Sequence, residues 1–498
     1  MNVFLLFPDR AADREEGLPW NADALVRDLG LAPVMKAMSG DDRVLADIVP
    51  RVLLNGLCDE SEVLYRQNVL RDCLAHRKII RSLYSLAGEA LAAESHNYWG
   101  VRLRRADPII RRSREVLAMF VDALESLCGI IEPSADAFKS DGFKRFIERL
   151  RVDLAPSYLR DIREILRQVD FRDGFMASAT LDTGNFCDRF TIRSYQAPIF
   201  SWFQRFFPPK VVGYTYFLHP RDESGARALD NLRDRALRNI ADVLAQSLAH
   251  VLTFFSILRH ELGFYVSCIN LYERLEEVGA RTSFPIPCPR QSLTFQCDEL
   301  YDVSLALLMG RSISGNVVNA SGKKSIVVTG ANQGGKSTFL RSVGISQLMM
   351  ASGLFVPART FSAALATKVF THFRREEERS LESGKLDEEL RRMNEIVDAL
   401  PTHALVLFNE SFAATNDREG SEIALQITEA LMDGDVRTVF VTHLYDFAHR
   451  LSTQRGAETF FLRARRRVNN VPDFSLTADF ALPTSFGEDL YRRIFGSS

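Results

Sequence analysis

The stretch Ser325-Ile-Val-Val-Thr-Gly330-Ala-Asn-Gln-Gly-Gly335-Lys336-Ser337-Thr338 decides how this chain is read. Ser325 to Thr329 is a short apolar run closed by Gly330, the pattern of a strand buried on both faces. Phe339 to Met350 follows with helical spacing. Between them Gly330 to Ser337 fits G-x-x-x-x-G-K-[ST], after a strand and before a helix as that motif requires. Glycines let backbone N–H groups converge on phosphate oxygens without Cβ collisions, and the helix N-terminus favours an anion. The motif therefore predicts a nucleotide-phosphate cradle built from Gly330, Asn332, Gly334, Gly335, Lys336, Ser337 and Thr338. Lys336 is expected to reach the β- and γ-phosphates, and Ser337 to ligate Mg²⁺.

Two further apolar runs, Ala404 to Phe408 and Thr438 to Thr442, lie downstream with helical segments between them. Strands alternating with helices predict an α/β domain with a largely parallel sheet. The first of these strands ends in Asn409-Glu410, where a nucleotide site needs an acidic strand end. Glu410 is the candidate general base or water-orienting group. Asn409 offers Mg²⁺ a neutral carbonyl oxygen where an aspartate would offer charge, so metal binding is expected to be weak and hydrolysis slow. The second strand ends in Thr442-His443, which places an imidazole at the same sheet edge as a candidate γ-phosphate sensor.

Upstream the chain changes character. Residues 1–45 carry Pro8, Pro19 and Pro33 and read as a short cap or irregular arm. Residues 59–170 show helical periodicity. Residues 171–222 alternate like short strands and hold Phe200, Trp202, Phe203, Phe206 and Phe207, an aromatic group expected to pack between helices, stack on bases or meet a partner. Ala226 to Gly279 is the longest helical pattern, either one arm of about 75 Å or a hairpin broken near Gly263. Ser283 to Pro289 reads as a linker.

At 498 residues the chain is long enough for about three domains. Its 62 Lys+Arg against 64 Asp+Glu exclude a polycation, so any nucleic-acid contact must come from a local basic face. The candidates are Arg102, Arg104, Arg105, Arg111, Arg112 and Arg114, and Arg463, Arg465, Arg466 and Arg467. Seven cysteines without C-x-x-C argue against a disulfide framework or a zinc site. No consecutive apolar run approaches the roughly 20 residues that span a bilayer. A cytoplasmic protein with no membrane partner is expected.

Taken together, the motifs resemble the MutS family of DNA mismatch-repair ATPases. Thr329 to Thr338 reproduces the family's T-G-x-N-x-G-G-K-S-T loop, and Gly353-Leu-Phe-Val-Pro-Ala358 is similar to its G-x-[FY]-V-P-A segment. Glu382-Ser-Gly384 resembles its S-G element. Glu410 to Gly420 resembles the strand-end glutamate and the signature loop E-x-x-x-x-T-x-x-x-x-G, and Thr442-His443 its T-H switch. Asn316-Val-Val-Asn319 is similar to the segment that borders the adenine, which implies a contact for Asn319. The resemblance is specific over about residues 310–450. More weakly, Leu64 to Leu74, with Arg66 and Arg71, resembles the opening of the helical core, and the long helix resembles the lever.

The resemblance implies an α/β ABC-type P-loop ATPase domain over 286–498. Before it would come a mostly α-helical core and lever domain over 46–285, with a small clamp-like insertion near 171–222. It implies ATP and Mg²⁺ as cofactors, double-stranded or branched DNA as partner, and a homodimer in which Asn416 reaches the neighbouring subunit's γ-phosphate. Fewer than 60 residues precede the helical core and none forms F-x-E, so the family's mismatch-reading domain is expected to be missing. The competing expectations are an ATP-gated clamp or scaffold with vestigial hydrolysis, and an ABC-type ATPase that acts on a protein partner.

Overall fold

The computed structural model describes residues 3–13, 17–96, 105–171, 175–181, 183–184, 187–193, 217–330, 334–375, 384–466 and 472–481. Contacts gather the chain into two compact units. One is Met1–Val3, Arg81–Ala137 and Lys144–Arg259; the other is Phe4–Ile80, Phe138–Phe143 and His260–Ser498. The N-terminal 80 residues thus pack largely with the nucleotide-motif part, where the sequence reading puts residues 46–285 in a domain of their own.

The described helices begin with α1 (Ala22–Asp28), α2 (Ala32–Ser39) and α3 (Arg43–Leu54). The first 45 residues, expected as a short cap or an irregular arm, are thus largely helical from Ala22 onward. Pro33 sits in the first turn of α2, where its missing N–H costs nothing, and Asp42 caps α3 by accepting from Val44 N at 2.8 Å. Next come α4 (Glu60–Ala75), α5 (Arg77–His96), α6 (Ala106–Ile131), α7 (Asp141–Asp153) and α8 (Pro156–Gln168). The strands β1 (Met176–Leu181) and β2 (Cys187–Arg193) form an antiparallel hairpin inside the 171–222 stretch. The aromatic group from Phe200 to Phe207, with Arg205 and Lys210, lies outside the described residues.

Helix α9 (Glu223–Glu277) is continuous for 55 residues, about 82 Å at 1.5 Å per residue. No break occurs at Gly263, which is buried within it. This helix holds an 18-residue window of mean hydropathy 1.5, so by length and composition it is apolar enough to cross a membrane. No long consecutive apolar run marks it, because polar residues recur every few positions along the helix. Only 22% of that window is buried; along the helix Ala241, Leu244, Phe255 and Leu258 are buried, while Leu229, Leu232 and Val243 are exposed, and Phe255 stacks on Phe120 of α6 at 5.4 Å.

Beyond α9 lie β3 (Ile286–Cys288), β4 (Phe295–Leu300), α10 (Val303–Met309), β5 (Asn316–Asn319), β6 (Ser325–Thr329) and α11 (Lys336–Ala351). Then follow β7 (Thr360–Ala364), β8 (Val369–Phe373), α12 (Lys385–Asp398), β9 (Leu405–Asn409), α13 (Asp417–Asp433), β10 (Arg437–Val441), α14 (Tyr445–Arg455), β11 (Thr459–Arg466) and β12 (Pro472–Ala478). The presumed linker at 283–289 contributes β3, an edge strand of a four-stranded sheet in the order β3-β7-β4-β5. Pro287 is tolerated at this edge because its missing donor leaves no inner ladder incomplete.

The second sheet runs β12-β11-β6-β10-β9-β8, with β11, β6, β10, β9 and β8 mutually parallel. Burial follows the geometry. Strands β6, β8 and β10 are buried at every position, whereas β5 alternates between buried and exposed. Val327, Val406, Phe408, Phe412, Phe440 and Phe447 belong to the core on one face of this sheet. Register pairs Val441 with Asn409 and Val441 with Val328, so the ends of β6, β9 and β10 lie side by side.

Candidate active site

The glycine-rich loop leaves the end of β6 and enters α11. Gly330 and Gly335 have φ of 112° and 85°, values that L side chains rarely adopt. Space also demands glycine: a Cβ on Gly330 would lie 3.0 Å from Ala464 N, and one on Gly335 would lie 3.3 Å from Phe474 O. Lys336, the first residue of α11, is 5% exposed. Its ammonium donates to Gly330 O at 2.7 Å and stands 3.8 Å from Glu410 Oε1. Burial lowers its pKa, and Glu410 partly opposes that. Ser337 Oγ donates to Asn409 Oδ1 at 2.9 Å, across 72 residues of sequence.

Glu410 follows the last residue of β9. Its N–H donates to Val441 O at 2.8 Å. Glu410 and Phe412 both take left-handed backbone, with φ of 55° and 62°, a conformation that costs a non-glycine residue roughly 1–2 kcal/mol. Gly420 in α13 is required by this turn, because a Cβ there would lie 2.3 Å from Phe412 O. The spacing from Glu410 to Gly420 thus has a steric cause.

His443 Nδ1 lies 2.5 Å from Glu410 Oε2. Burial pushes the Glu410 carboxyl up, but the His443 hydrogen bond and the charges of His443, Lys336 and Arg374 outweigh it, leaving the carboxyl below its ordinary value. The same hydrogen bond raises His443 against its burial. Each member of the pair thus favours the charged form of the other.

A cavity of about 700 Å³ opens over the loop. Gly334, Gly335, Lys336, Ser337, Thr338 and Glu410 line one side, and Tyr301, Asp302, Arg311, Asn316 and Phe474 line another. Its size suits a nucleotide. Ser337 lines this cavity, and its Oγ pairs with Asn409 Oδ1 behind it; two such oxygens fit a hard cation that keeps most of its ligands from water and phosphate. Among the described residues no group of three or more His, Cys, Asp or Glu could hold a metal by itself.

The structure thus brings together Gly330, Gly334, Gly335, Lys336, Ser337, Thr338, Asn409, Glu410 and His443. Asn332 lies outside the described residues. Asn319 does not line the cavity: it is exposed at the end of β5 and accepts from Ser321 N at 3.2 Å. Asn316, three positions earlier in the same motif, lines it instead, and its Oδ1 accepts from Leu476 N at 2.8 Å. Asn416 has a role within its own chain as the N-cap of α13, accepting from Glu419 N at 3.0 Å.

Sequence reasoning missed Phe474, Tyr301 and the pair formed by Asp302 and Arg341. Asp302 is fully buried, caps α10 and meets Arg341 Nη2 of α11 at 2.8 Å. An aspartate before Val-Ser-Leu-Ala-Leu was a readable capping signal; nothing in sequence marked Phe474.

Several arginines of the two basic clusters form ion pairs within the chain. Arg105, Arg111, Arg112 and Arg114 each pair with a carboxylate, at 2.8, 3.4, 3.0 and 2.8 Å. Arg463 pairs with Asp479. Arg465 is exposed; Arg102, Arg104 and Arg467 lie outside the described residues.

Two family models match the chain: the MutS2 N-terminal domain over residues 58–278 and MutS domain V over residues 326–487. The chain belongs to the MutS family. Domain V spans β6 to β12 and thus carries the glycine-rich loop, Asn409, Glu410 and His443. The MutS2 match spans α4 to α9 with the hairpin between them. Among curated relatives, Endonuclease MutS2 of Thermus thermophilus is 30% identical over 34% of this chain and 24% of its own length. MutS protein homolog 4 is 27% identical in Mus musculus and 28% in Homo sapiens, each over 28% of this chain. Those two alignments cover 14% and 15% of the relatives' own lengths.

Proposed function

We propose that this chain is a MutS-like ATPase of the ABC-type P-loop class, which couples ATP binding and slow hydrolysis to a grip on DNA. The observation that carries the reading is the convergence at one sheet edge of Lys336, Ser337, Asn409, Glu410 and His443. Lys336 exchanges Gly330 O for phosphate oxygens, and the glycine-rich loop and α11 N-terminus receive the rest of the triphosphate. Glu410, kept ionised by the cations beside it, orients and deprotonates the attacking water, while His443 faces the terminal phosphate. Ser337 and Asn409 would hold Mg²⁺, which neutralises charge on the phosphates when bound. A neutral Asn409 weakens that hold and slows turnover.

The wider reading is a cytoplasmic homodimer in which Asn416 serves the partner's site, acting on double-stranded or branched DNA in repair, recombination or related surveillance. Seven free cysteines agree with a reducing compartment. DNA is held by backbone or shape without reading a mispaired base, through Arg205 and Lys210 of the 171–222 stretch, with the Arg102–Arg114 cluster as the alternative contact. A second reading, an ATP-gated clamp with little hydrolysis, is favoured by Asn409 alone.

The test is ATP turnover, alone and with linear, singly mismatched and branched duplexes. Expected are slow turnover stimulated by DNA, its loss in Lys336→Ala, and equal response to matched and mismatched duplexes. Tight ATP binding without turnover supports the clamp. Turnover with no DNA binding at low salt overturns the DNA reading in favour of a protein partner.

A further inference from the structure

We infer that His372 is a positioning residue for Glu410: with Glu389 behind it, the imidazole holds the left-handed turn that aims the glutamate, although it lies outside the nucleotide cavity. The inference rests on the ATPase reading above and deepens it. Glu410 and Phe412 sit at φ of 55° and 62°, and a turn with two such residues persists only where its surroundings hold it. Glu410's own N–H has Val441 O. The next two residues are held by β8 and α12.

His372 lies on β8 in register with Phe408 of β9 and is completely buried. Its Nδ1 is 2.8 Å from Ser411 Oγ, and its Nε2 is 3.0 Å from Glu389 O. A carbonyl can only accept, so Nε2 carries the proton and Nδ1 accepts from the Ser411 hydroxyl. That hydroxyl also stands 2.5 Å from His372 O; its single proton is shared between Nδ1 and that carbonyl, so Ser411 Oγ is bracketed by the side chain and the backbone of His372. Burial, helped by Arg392 and Arg375, lowers the imidazole to about 4, and it stays neutral with the tautomer just described. The ring stacks on Phe412 at 5.1 Å with planes 20° apart.

Glu389 completes the support. It is 5% exposed, its carbonyl takes the imidazole proton, and its carboxylate accepts from the Phe412 N–H. A buried carboxyl, a buried imidazole and a buried hydroxyl are a costly way to fill a core if packing were the only need. Together they fix Ser411 and Phe412, and hence the direction in which the Glu410 side chain leaves the turn.

The experiment compares His372→Leu, which removes both hydrogen bonds, with His372→Gln, which can keep a donor and an acceptor. It measures kcat, binding of a fluorescent ATP analogue and Tm, in the wild-type and Glu410→Gln backgrounds. Expected are a kcat at least about tenfold lower in His372→Leu, analogue affinity within about twofold, and partial recovery in His372→Gln. In Glu410→Gln the His372→Leu change should lower the residual rate no further, because its effect passes through Glu410. Ser411→Ala serves as the second variant if His372→Leu does not fold, with a smaller loss of the same kind. Multiplicative losses in the Glu410→Gln background, or parallel losses of kcat and binding, would overturn the inference. If wild type turns ATP over in a Lys336-dependent way while the His372 and Ser411 variants match it, only this inference fails. If wild type shows no Lys336-dependent turnover, the ATPase reading itself fails.

Discussion

Glu410 at the end of β9 and Glu261 in the middle of α9 are both enclosed glutamates, and the chain treats them in opposite ways. Glu410 keeps 23% of its side chain exposed and faces His443, Lys336 and Arg374, which hold it ionised. Glu261 is fully buried and accepts from the N–H groups of Leu5, Leu6 and Ala12 at 2.6, 3.3 and 3.3 Å. Burial wins there, pushing its carboxyl up to about 7 despite those three donors and the more distant charge of Arg66. At Glu261 burial outweighs the three amide donors, whereas at Glu410 the neighbouring cations and the His443 hydrogen bond outweigh burial.

The second region is correspondingly a fastening. Arg66, 2% exposed, gives its Nε to Leu6 O at 3.3 Å and its Nη1 to Ser352 O, next to the C-terminal end of α11, at 3.2 Å. Residues 4–12 are thus gripped by Glu261 through their donors and by Arg66 through an acceptor. Gly353 leaves room for it, since a Cβ there would lie 2.7 Å from Arg66 Cβ.

The largest expected effect breaks the first region. Glu410→Gln should lower turnover by about 10²- to 10⁴-fold while retaining bound ATP, measured by single-turnover kinetics and nucleotide retention. Unchanged turnover would remove Glu410 from the base role. The second prediction concerns Glu261, whose folded value of about 7 lies above its ordinary 4.5. The folded state therefore holds a proton that the unfolded state has released between those values, so the contribution is complete below 4.5 and is lost as pH rises through 7. Wild type should lose about 2.5 kcal/mol between pH 5 and 8 relative to Glu261→Gln, as read from urea melts at both pH values. Parallel curves would show that the three N–H donors keep Glu261 ionised after all.

A smaller change sharpens the contrast at the cation-rich site. Asn409→Asp should raise Mg²⁺ affinity by about tenfold, in keeping with the greater strength of charge-assisted contacts, and should raise kcat in a magnesium titration. If neither moves, the metal is held elsewhere. The smallest effect lies at Asn416. Asn416→Ala should cost about 1 kcal/mol of stability through the lost cap of α13, whereas Asn416→Asp should keep it. Turnover that falls in both variants, and is rescued on mixing with Lys336→Ala chains, would assign Asn416 to a partner's site.

Much of the site was legible because its signals are local. The end of a buried strand, a loop that must accept positive φ, and a helix start leave a composition that needs no tertiary knowledge. Asn409-Glu410 and Thr442-His443 were legible for the same reason, since each closes an apolar run. The helices within 1–45 were not: three prolines interrupt any long periodicity there, yet Pro33 sits in the first turn of α2, where a proline is compatible with a helix start. The presumed linker at 283–289 hid an edge strand, because three residues paired along one side leave almost no periodicity to detect.

By itself the sequence determined the order of the α/β part, the glycine-rich loop with Lys336 and Ser337, the strand-end pair Asn409-Glu410, and membership of the MutS family. Tertiary structure alone decided that Asn316 and not Asn319 meets the cavity, since alternate residues of a strand point to opposite faces and only sheet packing says which face is inward. It also brought Phe474 to Gly335, Arg341 to Asp302, Glu261 to Leu5 and His372 to Ser411. These pairs lie 39 to 256 residues apart, and no local pattern encodes them. They arise only when sheet register and helix packing set backbone positions to within an ångström, the scale on which a hydrogen bond is made or lost.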